Sequence, residues 1–248
     1  MKNDNKLNKK IETAVDIAQR AQRNYDLSKK IPYKDLETLI YAAENSSSKQ
    51  SETHYALHVY TDPIMIRKIY HCSKRFCLYS EDDNFDELFG EQDGTYWQSD
   101  NRSLTNSQTL ANALFVYCND DGDIRSCSHI VGNNLEDSES QKEYEESKNY
   151  SIGISVGQLV LSAAMLGYKT GLCSSFNKPI APLIGTEQKV KLLVGIGFEN
   201  ANLDRKTHPE VYNRDVDKIF RNGADNERWK FPSFDKNISV FLNGIKKN

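Results

Sequence analysis

No apolar run in this sequence is long enough to cross a membrane. The most membrane-like stretch, Ile152 to Tyr168, is broken by Gly153, Ser155, Gly157, Gln158 and Ser162, whereas a spanning helix needs about 20 predominantly apolar residues. A buried helix is expected there. The opening Met1-Lys-Asn-Asp-Asn-Lys-Leu-Asn-Lys-Lys10 has no apolar core either, so neither a secretory signal nor an anchor is expected, and the expected location is cytoplasmic. The five cysteines, Cys72, Cys77, Cys118, Cys127 and Cys173, form no CxxC pair. An odd number of thiols without an export signal is expected to stay reduced.

A dominant charge is missing as well. The 32 basic and 35 acidic side chains leave a net charge of -3 and are spread along the chain, which argues against a nucleic-acid binder held mainly by phosphate contacts. The usual nucleotide signatures do not occur: no GxGxxG opens a helix after a strand, and there is no P-loop. Gly195-Ile-Gly197 lacks the third glycine and a following helix start, so it reads as a plain strand end. Asn119 to Asp123 has no closing Glu for a calcium loop and reads as a turn. His71, His129, Cys72, Cys77, Cys118 and Cys127 show no paired two-residue ligand spacing, so no metal site is expected. Cys127 and His129 would point the same way on a strand but rarely touch usefully as a nucleophilic pair.

What is present is enough for a sizeable core: 248 residues, 38% of them hydrophobic, read as one domain over 1–248 with no internal repeat or low-complexity linker. Ile11, Ala14, Val15, Ala18 and Ala21 have helical spacing over residues 9–24. Pro32 opens a second helix with Leu36, Leu39, Ile40 and Ala43 on one face, followed by a polar loop from Asn45 to Thr53. Tyr55 to Tyr60 reads as a strand, and Asp62-Pro63 caps a helix carrying Ile66, Ile69 and Tyr70.

The acidic stretch 80–104 carries no clear pattern, and a helical turn from Thr105 to Asn112 leads into the strand Ala113 to Cys118. A long helix is expected from about Asn134 to Leu166. Its first third is acidic, and its second half is apolar nearly all round, so other elements or another subunit must enclose it. Thr170 to Cys173 and Val190 to Ile196 are two further strands. The hydrophilic remainder from about 200 to 248, with Trp229 and Phe231-Pro-Ser-Phe234, reads as a wrapping C-terminal extension. Strands scattered among helices without regular alternation make the class α+β.

Several segments carry a family resemblance through their order and spacing. Gln22-Arg-Asn-Tyr-Asp-Leu-Ser-Lys-Lys-Ile-Pro32 joins a basic helix end to a Tyr-Asp pair and a helix start. Ser47-Ser-Lys-Gln-Ser-Glu-Thr-His-Tyr55 is a Ser-rich loop after the second helix, and Thr105-Asn-Ser-Gln-Thr-Leu-Ala-Asn-Ala113 precedes a buried strand. Leu161-Ser-Ala-Ala-Met-Leu-Gly167, Ser174-Ser-Phe-Asn177 and Val194-Gly-Ile-Gly-Phe198 complete the series. Together these residues, spanning about 20–210, resemble the nitroreductase superfamily, and look closest to small nitroreductase-like proteins of bacteriophages.

That resemblance implies a nitroreductase-like fold. Its central, mostly antiparallel sheet is flanked by helices, a long buried helix lies at a homodimer interface, and the C-terminal tail is extended. It implies tightly bound FMN as cofactor and NAD(P)H as co-substrate. An electron-poor small acceptor, nitro-, quinone- or flavin-like, would be reduced in ping-pong turnover, with the redox chemistry belonging to the flavin and no catalytic side chain required. Arg23 matches the basic residue beside flavin N1 and the C2 carbonyl, Asn106 a pyrimidine-edge side chain with Gln108 as helper, and Ser174 and Ser175 the loop whose amides meet N5 and O4. Arg205 and Lys206 match the basic pair for the phosphate, while Ser47, Ser48, Lys49 and Ser51 match the loop that reaches the other subunit's flavin. Gln19 stands where many relatives have a phosphate-binding Arg, a role that Arg20 takes from the next position, and Ala21 stands in place of Ser. Alternative readings are a flavin-binding or interaction protein with little turnover, or dehalogenation, azoline oxidation or flavin fragmentation within the same superfamily.

Overall fold

The computed structural model describes residues 8–48, 55–73, 76–77, 103–104, 106–119, 138–176, 179–203, 205, 240–242 and 245–247. Helix α1 (Lys9–Ala18) starts at Asn8, whose side chain accepts from the Lys10 and Ile11 amides, so two of the free first-turn N–H groups are satisfied. It stops well short of residue 24. Beyond Gln19 the chain is drawn into isolated bridges with distant residues, Ala21 with Thr170 and Tyr25 with Glu199, and these pairings override helical spacing. The face expected to be buried is also only partly so: Ala14 is enclosed, while Ile11 and Val15 are exposed.

Helix α2 (Tyr33–Glu44) buries Leu39, Ala42 and Ala43. Strand β1 (Tyr55–Tyr60) and helix α3 (Pro63–Tyr70) follow, the helix capped by Asp62, which accepts from the Ile64 and Met65 amides, with Pro63 in the first turn. The short strands β2 (Phe76–Cys77) and β3 (Ser103–Leu104) pair antiparallel. A single 3-10 turn, Ser107–Thr109, leads into β4 (Ala113–Asn119), all seven residues of which are buried. Helix α4 (Ser138–Met165), strand β5 (Lys169–Cys173), a 3-10 turn (Ala181–Ile184) and strand β6 (Val190–Gly197) follow. Near the C-terminus β7 (Val240–Leu242) pairs antiparallel with β8 (Ile245–Lys247). Trp229 and Phe231 to Phe234 lie outside the described residues.

Strands β1-β4-β6-β5 form one sheet in that order, antiparallel at every pairing. Side chains alternate across β4 as strand geometry requires. Ala113, Phe115 and Tyr117 pack with Leu39, Val156 and Leu159 under α2 and α4, and Leu114, Val116 and Cys118 pack with Ile66 and Ile69 of α3 on the other face.

The α4 helix has two apolar faces. Ile152, Val156, Leu159 and Ala163 are buried against the sheet, while Tyr150, Ile154, Leu161 and Met165 form an exposed stripe on the opposite side. Expectation and structure therefore agree on the helix and its apolar character, but this chain encloses only half of it. In the more polar first half, Lys148 is buried and paired with Glu145 at 2.7 Å, which also reaches Lys191 at 3.5 Å. Among the described residues no helix is long and apolar enough to cross a membrane.

A buried polar network fixes the end of α2. The last carbonyls of a helix lack intrahelical partners, and the Ala43 carbonyl accepts from Tyr55 Oη at 2.6 Å and from Ser155 Oγ at 2.8 Å. Each hydroxyl has one proton, so Tyr117 Oη donates to Ser155 Oγ at 3.0 Å and Ser46 Oγ to Tyr55 Oη at 3.2 Å. Burial pushes the Tyr117 phenol upward, consistent with its role as donor.

Candidate functional site

The segment after α1 crosses the ends of β5 and β6 and is tied down at Gln22, Arg23 and Asp26. The Gln22 amide donates to the Thr170 carbonyl at 2.8 Å, the Arg23 amide to the Arg205 carbonyl at 2.9 Å, and the Asp26 amide to the Phe198 carbonyl at 3.0 Å. Arg205 Nη1 donates back to the Ala21 carbonyl at 3.1 Å. Residues more than 180 positions apart in the chain are thereby held side by side. Arg23 is half-buried, and its guanidinium is held below its usual value first by burial and then by repulsion from Arg205.

A cavity of about 230 Å³ opens beside this segment, lined by Thr13, Asp16, Ile17, Arg20, Gln22, Lys169, Glu199 and Arg205. Three cations face two carboxylates, and Lys169 pairs with Glu199 at 3.3 Å. Asp16 accepts from Gln19 Nε2 at 3.0 Å, so Gln19 orients a wall of this cavity instead of lining it. Lys169 and Gln22 were not expected as site residues from the sequence. The usable signal for Lys169 was its place in Gly167-Tyr-Lys-Thr-Gly171, between the long helix and a strand.

Asn106 and Gln108 lie on the turn that packs onto β5 and β6, both largely buried. Asn106 caps the turn by accepting from the Gln108 amide at 3.2 Å. The turn can approach because the facing strands carry glycine. Gly171 pairs with Gly195 across β5 and β6, and a Cβ at Gly195 would overlap the Gln108 carbonyl oxygen. Asn112 fastens the turn's far end, donating to the Asp26 and Lys29 carbonyls at 2.9 and 2.8 Å and accepting from the Phe198 amide at 3.1 Å. Gly195-Ile-Gly197 is thus the end of β6, and its glycines make room for this turn and Tyr25.

Ser174 is exposed and Ser175 half-buried just past β5. Cys173 Sγ donates to the Ser175 carbonyl at 3.1 Å, and Phe176 bridges to Ser73. Burial pushes the Cys173 thiol up, and contacts with Ser175, Asn106 and Ser73 oppose it. The Asn106 turn and the Ser174-Ser175 loop are therefore neighbours.

Ser47 is exposed and Ser48 half-buried. They follow Ser46, which is anchored on Tyr55 of β1, at the opposite edge of the sheet from β5. Three strand spacings of about 4.8 Å separate those edges, so the structure does not bring Ser47 and Ser48 to Arg23 within one chain. Lys49, Ser51 and Lys206 lie outside the described residues.

The donor set suits a phosphate. Two guanidiniums and an ammonium border the cavity, set against the Asp16 and Glu199 carboxylates, and charge-assisted donors of this kind are strong anion ligands. Ligand pockets usually enclose roughly 300 to 1,000 Å³, and this cavity, at about 230 Å³, is smaller.

No family model matches the chain, and no curated protein matches it in sequence. Solved structures do resemble it. It is similar to B. megaterium NfrA2 at 16% identity, covering 88% of this chain and 80% of that one, with a TM-score of 0.54. Nitroreductase A from Vibrio parahaemolyticus shares 16% identity over 92% of this chain and 87% of its own, with a TM-score of 0.53. A Staphylococcus epidermidis protein proposed to be an NAD(P)H:FMN oxidoreductase shares 17% identity over 86% and 97% of the two chains, with a TM-score of 0.52. At these identities the likeness is one of fold.

Proposed function

We propose that this chain, which has the nitroreductase fold, is an FMN-dependent NAD(P)H oxidoreductase that reduces an electron-poor small acceptor and acts as a cytoplasmic homodimer. The observation that carries this reading is the convergence of Arg20, Arg23, Lys169 and Arg205 at one end of the sheet. Arg20, Lys169 and Arg205 would hold the phosphate, and Gln22 would contribute a polar wall. Arg23, beside Arg205, would face the ring system, with the Asn106 turn and the Ser174-Ser175 loop bordering it. When bound, FMN supplies the two-electron chemistry that passes reducing equivalents from NAD(P)H to the acceptor.

One observation supports a dimer: the Ser47-Ser48 loop lies across the sheet from Arg23, which suits a loop that completes the site of another copy.

The test is the visible spectrum of the purified protein, followed by denaturation and chromatography of what is released. The expected outcome is bound or readily acquired FMN, taken in preference to FAD and bleached rapidly by NAD(P)H. A colourless protein that ignores added FMN overturns the function. Bound FMN that NAD(P)H does not reduce leaves a flavin-binding protein without this turnover.

A further inference from the structure

We propose that Tyr25 is a positioning residue: its hydroxyl, seated between the Gln108 and Gly195 carbonyls, locks the Arg23 segment to the Ser107–Thr109 turn and to β6, and so fixes the cation that Arg23 presents to the cofactor. This inference rests on the FMN reading above.

The geometry is specific to the hydroxyl. Tyr25 is 5% exposed, and its Oη lies 3.3 Å from both the Gln108 and the Gly195 carbonyl oxygens. One proton serves two acceptors on separate elements, and burial keeps it on the phenol. Glycines make the seat: a Cβ at Gly171 would stand 2.9 Å from the Tyr25 hydroxyl, and one at Gly197 would stand 2.9 Å from the ring. On either side of the ring the main chain is tethered, Arg23 to Arg205 and Asp26 to Phe198. A ring needed only for packing would be replaced without loss by Phe, which leaves two buried carbonyls without that donation.

Full-length Tyr25→Phe, saturated with FMN, is the test. Its preference for reduced over oxidised FMN should fall about threefold to tenfold, a drop in midpoint potential of about 15 to 30 mV for a two-electron couple, with an unchanged far-UV spectrum. If Tyr25 acts through Arg23, the double variant with Arg23→Ala should shift by less than the two single shifts added. An unchanged potential, or simple additivity, overturns the proposal. A second readout needs no cofactor: in FMN-free protein, amide exchange at Arg23 and Asp26 should quicken about tenfold in Tyr25→Phe, with β1 amides unaffected. If the parent takes up no FMN, the function reading fails while exchange still decides the tether, and unchanged exchange rates refute it.

Discussion

Arg23 is the residue on which the redox reading is most exposed. A fixed cation near the ring system favours the more negative, reduced form of a bound flavin. Hydrogen bonds to charged groups contribute about 1.5 to 3 kcal/mol, and the difference between redox states sets the potential. Arg23→Ala should therefore lower the midpoint potential by about 30 to 60 mV and slow reduction by NAD(P)H. Spectroelectrochemistry on FMN-saturated variant checks this, and a change under about 10 mV places Arg23 elsewhere. Gly195 makes a separate claim at the same scale. A Cβ there would strike the Gln108 backbone, so Gly195→Ala should cost about 1 to 3 kcal/mol or more in thermal unfolding. A parent-like melting temperature would mean the turn can retreat. Arg23 and Arg205 were legible only through resemblance, since no pattern along the chain joins them. Gly195 was visible in the sequence, but its partner is a turn from a distant segment, so strand spacing alone made it a plain strand end.

Elements whose signals are local were readable. Strand β1 runs from Tyr55 to Tyr60 as its residues suggest, and Asp62-Pro63 starts α3 through two side-chain hydrogen bonds. Helix α1 was expected to reach residue 24, but the Gln22, Arg23 and Asp26 amides are taken by the carbonyls of Thr170, Arg205 and Phe198. Nothing in the sequence announced that Ser155, in the middle of an apolar helix, serves the end of another helix. Its hydroxyl is fully buried and donates to Ala43 while accepting from Tyr117. Ser155→Ala should destabilise the fold by about 1 to 3 kcal/mol, read as a fall of about 2 to 4 °C in Tm for each kcal/mol. Tyr55→Phe shares the Ala43 acceptor, so the pair should be non-additive. Additive losses would show that the two hydroxyls act independently.

At the scale of the molecule, the α+β class and the antiparallel sheet were legible, while strand order and the placement of both sheet edges depend on pairings between distant segments. The proposed association of two copies would use a surface that periodicity half revealed. The second half of α4 reads as apolar all round, and the structure divides it into a buried face and a stripe of Tyr150, Ile154, Leu161 and Met165 left outside. Gly157 lies on that stripe with nothing within 4 Å of where a Cβ would stand. If the chain were monomeric, Gly157→Ala would stabilise the helix by roughly 0.5 to 1 kcal/mol. If two copies of α4 pack there, an added methyl pushes the helices apart, because the side chains at the contact set the interaxial distance. Sedimentation should therefore show one dimeric species at micromolar parent protein, weakened in Gly157→Ala and dissociated in Leu161→Glu, with helical content retained in both. A monomeric parent that carries a full complement of FMN would refute both the α4 interface and the contribution of the Ser47-Ser48 loop across it.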